Sequence, residues 1–193
     1  MNSKCVLSLL TILFFCSTAL FAQVKKIDTT YKIGDVGYKL LCNNKNADDN
    51  TVTISPVGFK NTARNASFSV RGKVIKAEIG DLNNDGFFDL MIYIYGVPNA
   101  ATGTAICISS VENTSLAPIL FPDIYDNPKL RDGYKGYDEF FIKYGLLNRS
   151  FPVYKAGDTD DKPTGGKRMI QYQVATENGR PSFKVLRTYD VAQ

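Results

Sequence analysis

The chain has 193 residues, of which 44% are hydrophobic, and a formal net charge of +4 at pH 7. This length suffices for one domain with a hydrophobic core, and so small a positive charge gives no indication of a nucleic-acid partner. The chain contains no histidine, which excludes Ser-His-Asp and Cys-His nucleophilic sites, HExxH zinc sites and histidine general bases. The composition therefore favours a protein that is not an enzyme.

The first 22 residues predict an export signal. Lys4 precedes an apolar run from Val6 to Phe21, and Ala22 suits the last position before the cleavage site. We therefore expect a signal peptide over residues 1–22, a single β domain over residues 23–193, and a periplasmic or secreted location. An uncleaved anchor is the alternative, because the run is about as long as a short membrane span. No second apolar span follows, so no membrane span is expected after cleavage.

The rest of the chain reads as short strands between polar turns such as Arg71-Gly72 and Asn178-Gly179. The predicted strands cover residues 36–42, 51–54, 66–70, 74–79, 90–95, 105–110, 140–144, 150–154, 168–175 and 182–189. Residues 118–136 contain three prolines and two glycines, which predicts a long connection with at most one helical turn. The pattern is typical of an all-β protein, an antiparallel β-sandwich or flattened barrel with little helix.

Residues 81–89, which we call the acidic turn, separate two strand-like runs. Oxygen-bearing side chains lie at Asp81, Asn83, Asp85 and Asp89, the one-three-five-nine spacing of a calcium loop. The carbonyl of Phe87 is the expected fifth ligand. Such a loop holds calcium or is a polar hairpin turn, in which the side chains accept backbone N–H groups. The sequence leaves both interpretations open.

Two cysteines, Cys42 and Cys107, lie outside the predicted signal. In an oxidising compartment they are compatible with one disulfide, and the alternative is a pair of buried thiols.

Tyrosines recur on and beside the predicted strands, at positions 93, 95, 137, 144, 154 and 172. They favour either a sugar-binding face or half-buried packing residues. A surface carbohydrate- or peptidoglycan-binding domain is therefore the alternative function.

Several motifs, in their order and spacing, resemble the periplasmic inhibitors of invertebrate-type (I-type) lysozyme. The resemblance covers residues 80–184, while residues 23 to about 70 match less well. The motifs are Asp-Leu-Asn-Asn-Asp-Gly at 81–86, Tyr-Lys-Gly-Tyr-Asp-Glu-Phe at 134–140, Arg-Ser-Phe-Pro-Val-Tyr at 149–154, Gly-Asp at 157–158, Pro-Thr-Gly-Gly-Lys-Arg at 163–168 and Gln-Tyr at 171–172.

The resemblance implies an exported β-sandwich, dimeric, that binds a lysozyme of the I-type and blocks its cleft. In the family, a loop with Ser-Gly followed closely by Tyr carries hydroxyls that reach the catalytic carboxylates of the enzyme. The corresponding loop here contains Asn99, Thr102, Gly103 and Thr104, with Thr102-Gly103 in the place of Ser-Gly and a second hydroxyl at Thr104. No tyrosine follows, which removes one hydroxyl that the family loop carries. The expected function is thus lysozyme inhibition by loop insertion.

Overall fold

The structure is a computed structural model that describes residues 25–46, 48–60, 63–96 and 102–192. The predicted signal peptide lies outside these ranges. Within them the chain forms twelve β-strands, a 3-10 turn at Ile124–Asp126 and one short helix, α1. The elements are β1 Ile27–Ile33, β2 Val36–Cys42, β3 Asn50–Val57, β4 Ala66–Val70, β5 Lys73–Gly80, β6 Asp89–Tyr95, β7 Gly103–Val111, β8 Ser115–Ile119, α1 Pro128–Arg131, β9 Glu139–Lys143, β10 Leu146–Pro152, β11 Lys167–Glu177 and β12 Arg180–Val191.

The described strands form three four-stranded antiparallel sheets in which each strand pairs with its neighbours in sequence. We call them the N-terminal sheet (β1–β4), the central sheet (β5–β8) and the C-terminal sheet (β9–β12). The all-β antiparallel prediction is confirmed. The strands β1 and β8 were not predicted, because β1 is largely polar and exposed and β8 contains Pro118.

The central sheet separates two hydrophobic clusters. Met91 and Tyr93 pack with Leu147 and other residues of the C-terminal sheet, whereas Leu90 and Ile92 pack on the opposite face with residues of the N-terminal sheet. Successive side chains of a strand point to opposite faces, so a strand that is covered on both faces has to be apolar throughout. This explains why β6 is almost continuously hydrophobic.

Contacts on two sides join the central sheet to the C-terminal sheet. On one side, Leu120 N donates to Pro181 O at 3.3 Å, and Phe183 N donates to Leu120 O at 2.8 Å. On the other side, Glu78 Oε2 accepts from Tyr93 Oη at 2.6 Å and from Ile142 N at 3.0 Å. The residues that resemble the lysozyme inhibitors belong mainly to these two sheets.

No disulfide joins Cys42 to Cys107: both thiols are free and buried. Cys42 lies in the cluster between the N-terminal and central sheets, and Cys107 lies in the cluster on the other face of the central sheet. The intervening sheet keeps the two sulfurs apart, so the disulfide interpretation is corrected in favour of two buried thiols. The Cys42 thiol donates to Asn44 Oδ1 at 3.2 Å.

Among the described residues, no helix is both long enough and apolar enough to span a lipid bilayer.

Candidate functional site

The end of the β6–β7 hairpin carries the candidate inhibitory residues that the structure describes. Tyr95 pairs with Gly103, and Gly96 N donates to Thr102 O at 3.0 Å, so the base of the loop continues the sheet. Thr102 and Thr104 are exposed, whereas Gly103 between them is buried. Asn99 lies outside the described residues. The two threonine side chains are therefore presented on either side of a fixed glycine.

Gly103 is fixed by a buried ion pair, the Asp138–Arg149 pair. Asp138 Oδ2 accepts from Gly103 N at 2.7 Å, and Asp138 Oδ1 accepts from Arg149 Nε at 2.6 Å. Arg149 Nη2 donates to Gly103 O at 3.4 Å. The exposed fractions of the two side chains are 2% for Arg149 and 0% for Asp138. Both main-chain polar groups of Gly103 are thus held by charged side chains, which make stronger hydrogen bonds than neutral ones.

Aromatic rings surround the guanidinium of Arg149. Its Cζ lies 5.2 Å from the Tyr134 ring centroid, 5.3 Å from that of Phe140 and 5.9 Å from that of Phe151. The Tyr134 hydroxyl donates to Asp138 Oδ2 at 2.5 Å and accepts from Arg149 Nη2 at 3.0 Å. Burial raises the pKa of Tyr134, and the neighbouring Asp138 carboxylate raises it further. The hydroxyl therefore stays protonated and remains a donor to Asp138.

Local sequence places the ion pair beneath the loop. Gly136 and Tyr137 have φ angles of 96° and 62°, a left-handed turn that directs Asp138 inward at the start of β9. Arg149 lies in β10 opposite Phe140 of β9. Burial opposes the charge of Arg149, but the hydrogen bond and charge of Asp138 outweigh this and raise its pKa. The motifs at 134–140 and 149–154, which carry much of the resemblance, thus meet at Gly103.

The close packing around Gly103 leaves no room for a side chain. A Cβ atom there would lie 2.8 Å from Phe140 Cε2, 2.9 Å from Asp138 Cβ and 3.0 Å from Tyr95 Cε1. Real Cβ atoms essentially never approach other atoms within less than 3.0 Å, as the first two of these distances would require. Only glycine fits at this position, and a bulky substitution would disturb the fold as well as the loop.

A cleft of about 210 Å³, which we call the loop cleft, lies beside the two threonines. Its lining includes Thr102–Thr104, Arg149 and the segment from Phe121 to Tyr125. Tyr125 is 53% exposed and belongs to the 3-10 turn, which Asp123 caps by accepting from Tyr125 N at 2.9 Å. Sequence reasoning missed Tyr125, because the long connection 118–136 has no periodic pattern that would place it against the hairpin.

The acidic turn joins β5 to β6, and Gly80 pairs with Asp89 as the hairpin prediction requires. Asp81 accepts from the N–H groups of Asp85 at 3.1 Å and Gly86 at 3.0 Å, and Asp85 Oδ1 accepts from Phe87 N at 2.8 Å. Across the described part of the chain, no group of three His, Cys, Asp or Glu side chains is arranged to hold a metal ion. In this arrangement the side chains stabilise the turn itself.

The six tyrosines do not form one sugar-binding face. Tyr93 and Tyr172 are almost fully buried in the core, whereas Tyr144 is 90% exposed. Tyr137 and Tyr154 come together in a groove of about 470 Å³, the tyrosine groove. The groove is also lined by Glu139, Pro152, Asp160, Asp161, Pro163 and Lys167.

Comparison of the chain with protein-family models, with curated proteins and with solved structures gives no match.

Proposed function

We propose that this chain is an exported, non-catalytic binding protein that inhibits a lysozyme by inserting the end of the β6–β7 hairpin into the enzyme cleft. The partner that best suits the proposal is an I-type lysozyme, the class indicated by the motif resemblance. The observation that carries the proposal is the Asp138–Arg149 pair, which fixes Gly103 and leaves Thr102 and Thr104 exposed on either side.

Pre-organisation is what an inserting loop needs. A loop that is already ordered pays less conformational entropy on binding than a flexible one, so more of the contact energy appears as affinity. Gly103 is held by both its N–H and its carbonyl. The sequence between Tyr95 and Thr104 is also rich in small residues, which permits close approach to a concave surface.

The chemistry of the exposed groups suits a cleft that contains carboxylates. Glycoside hydrolases cleave their substrates with a pair of Asp or Glu side chains. The hydroxyls of Thr102 and Thr104 donate hydrogen bonds, and a hydrogen bond to an ionised acceptor is stronger than a neutral one. Tyr125 borders the same cleft and is exposed. We assign to it the phenolic hydroxyl that the loop itself lacks.

The experiment is a titration of the protein beginning at Gln23 against lysozymes of the I-type, chicken-type and goose-type. We expect inhibition of the I-type enzyme at micromolar protein or below. The matched pair of variants is Tyr125→Phe and Tyr144→Phe, each of which removes one exposed phenolic hydroxyl. We expect only the first to weaken inhibition. Absence of inhibition of all three classes at micromolar protein would remove the proposal.

A surface glycan-binding function is the second candidate, favoured by the tyrosine groove. Tyr137 is 46% exposed at a left-handed φ of 62°, and it lies beside Tyr154 and the carboxylate of Glu139. Aromatic rings stack on sugar rings, and carboxylates accept hydroxyl hydrogens. Binding of peptidoglycan fragments that Tyr137→Ala abolishes, without any binding to lysozyme, would favour this second function.

A further inference from the structure

The hairpin fold does not account for one buried carboxylate, that of Asp89. Its side chain is 0% exposed at the first position of β6. One oxygen, Oδ2, accepts from Leu82 N at 2.8 Å. The other oxygen, Oδ1, is buried and has no hydrogen-bond partner within the described residues. A buried acceptor without a partner costs free energy, and an ionised one costs more.

The surroundings of Asp89 add negative charge instead of compensating it. The carboxylates of Asp85 and Asp81 repel the charge of the buried Asp89 carboxylate. The neutral hydroxyl of Ser109 is close enough to favour the charged form of Asp89, but within the described residues it makes no hydrogen bond to Oδ1. Asp89 therefore has an unused oxygen at the end of the acidic turn and forms no ion pair within the described part of the chain.

The Asn83 amide group occupies the space between the remaining acceptors. Its Nδ2 lies 2.8 Å from Asp85 Oδ2 and 3.3 Å from Ser109 Oγ. Rotation of the amide by half a turn would exchange its nitrogen for its oxygen. The amide oxygen would then face Asp85 Oδ2 and the Ser109 hydroxyl, and the hydrogen bond that it accepts from Asp85 N at 3.2 Å would be lost. A cation bound by the amide oxygen and the carboxylate would compensate for this loss.

We propose that the acidic turn binds a calcium ion, with the free oxygen of Asp89 as its innermost ligand. The carboxylates of Asp81 and Asp85, the amide oxygen of Asn83 and the carbonyl of Phe87 complete the oxygen set. Calcium takes six to eight oxygen ligands with flexible geometry, and water supplies the remainder.

Binding requires a local rearrangement, because the three carboxylates are not grouped as metal ligands in the arrangement described above. The groups that have to turn are accessible: Asp85 is exposed and Asn83 is half-buried. Asp89, which the sheet holds in place, does not have to move. The site thus combines one fixed buried ligand with side chains that close over the ion.

The acidic turn is separate from the proposed inhibitory loop. Asp89 begins β6 and Tyr95 ends it, which places the two sites about 20 Å apart at 3.3 Å per residue. Calcium therefore acts on the stability of the hairpin and not on contacts with a lysozyme, so either proposal can fail while the other stands.

The test is thermal unfolding of chelator-treated protein with calcium added to about 10 mM. Weak extracellular sites have dissociation constants of about 10⁻⁴–10⁻³ M, so we expect a saturable rise in Tm of about 3–10 °C. Magnesium at the same concentration should give a smaller rise in Tm, since it requires a stricter coordination geometry than calcium. Asp89→Asn and Asp85→Asn should each remove the rise. Asp161→Asn, which removes an exposed carboxylate from another loop, should retain it.

Two results would overturn the proposal. One is the absence of both a Tm rise and calorimetric heat with calcium in the parent protein. The other is an equal rise in the parent, Asp85→Asn and Asp161→Asn proteins, which shows diffuse screening of negative charge. Asp85 is exposed and its replacement leaves an acceptor for Phe87 N, so this variant gives a result even where Asp89→Asn folds poorly.

Discussion

Two buried aspartates, Asp138 and Asp89, lie at sites near opposite ends of β6 and differ in their partners. Asp138 accepts hydrogen bonds from Arg149, Gly103 and Tyr134 and carries a fully buried ion pair. Asp89 accepts one hydrogen bond, from Leu82 N, and leaves its second oxygen without a partner. The first carboxylate is satisfied within the fold, whereas the second is not.

The difference shows how the same residue type can serve two purposes. A satisfied buried carboxylate fixes its neighbours, and in this chain the neighbour is the glycine between two exposed threonines. An unsatisfied one raises the free energy of the folded chain, unless a proton or a cation occupies its free oxygen. We therefore regard Asp138 as a positioning residue and Asp89 as the residue on which the proposed calcium site depends.

The largest expected effect comes from removing the partner of Asp138. Arg149→Met leaves a buried carboxylate without its cation, which should lower the free energy of unfolding by about 3–5 kcal/mol. Urea unfolding at pH 7 measures the loss. The double variant Asp138→Asn/Arg149→Met should recover about 0.5–3 kcal/mol, because it removes the uncompensated charge.

The control for that prediction is a surface ion pair. Lys167 lies 2.5 Å from Glu139, with side-chain exposures of 40% and 65%. Lys167→Met should cost only about 0.2–1 kcal/mol, because water screens the pair. An equal cost for Lys167→Met and Arg149→Met would contradict the importance given to the buried pair.

The next prediction concerns the contribution of Asp89 to the pH dependence of the free energy of unfolding, measured with a chelator present. A carboxyl whose pKa rises to about 6 on folding binds its proton more tightly in the folded state. The free energy of unfolding of the parent should therefore fall as pH rises from about 4 to 7, by up to about 3 kcal/mol from this group. Asp89→Asn removes this contribution. Its stability relative to the parent should improve by about 1–3 kcal/mol between pH 4.5 and pH 7.5, whereas a pH-independent difference would show that Asp89 is not destabilised by its charge.

A smaller effect tests the packing above the Asp138–Arg149 pair. Gly103→Ala should cost about 1–3 kcal/mol, because the added methyl group overlaps Phe140, Asp138 and Tyr95. Gly96→Ala in the same loop is the matched control, since its Cβ would meet only Thr102 O at 3.7 Å. Similar thermal stabilities of the two variants would show that Gly103 is less tightly enclosed than described.

The sequence predicts the strands of this fold better than their assembly. The bounds of β2 and β4 agree with the prediction, and the apolar run in β6 corresponds to a strand buried on both faces. The number of sheet layers could not be predicted. Alternation of apolar and polar residues along a strand shows that one face of the strand is buried, but it does not show which sheet packs against that face.

The candidate site is a long-range property of the fold. Thr102-Gly103 was predicted from its position in the loop after the strand that follows the acidic turn. The Asp138–Arg149 pair and Tyr125 were not predicted. Arg149 in a strand pattern is ordinarily solvated, and only the folded chain brings it beneath Gly103. The spacing of the acidic turn identified Asp89 as a candidate ligand. That its Oδ1 has no hydrogen-bond partner could not be predicted, because this depends on the residues that pack over β6 in the folded chain.

The most direct test of the account is the affinity of a threonine-to-alanine pair for an I-type lysozyme. Thr102→Ala/Thr104→Ala should raise the Kd by at least ~30-fold, the ~2 kcal/mol expected for an interface hot spot, with no change in Tm. Thr29→Ala/Thr30→Ala removes two exposed hydroxyls from β1 of the N-terminal sheet and should leave the Kd unchanged. Equal Kd values for the parent and for Thr102→Ala/Thr104→Ala would contradict the assignment of this hairpin as the inhibitory surface.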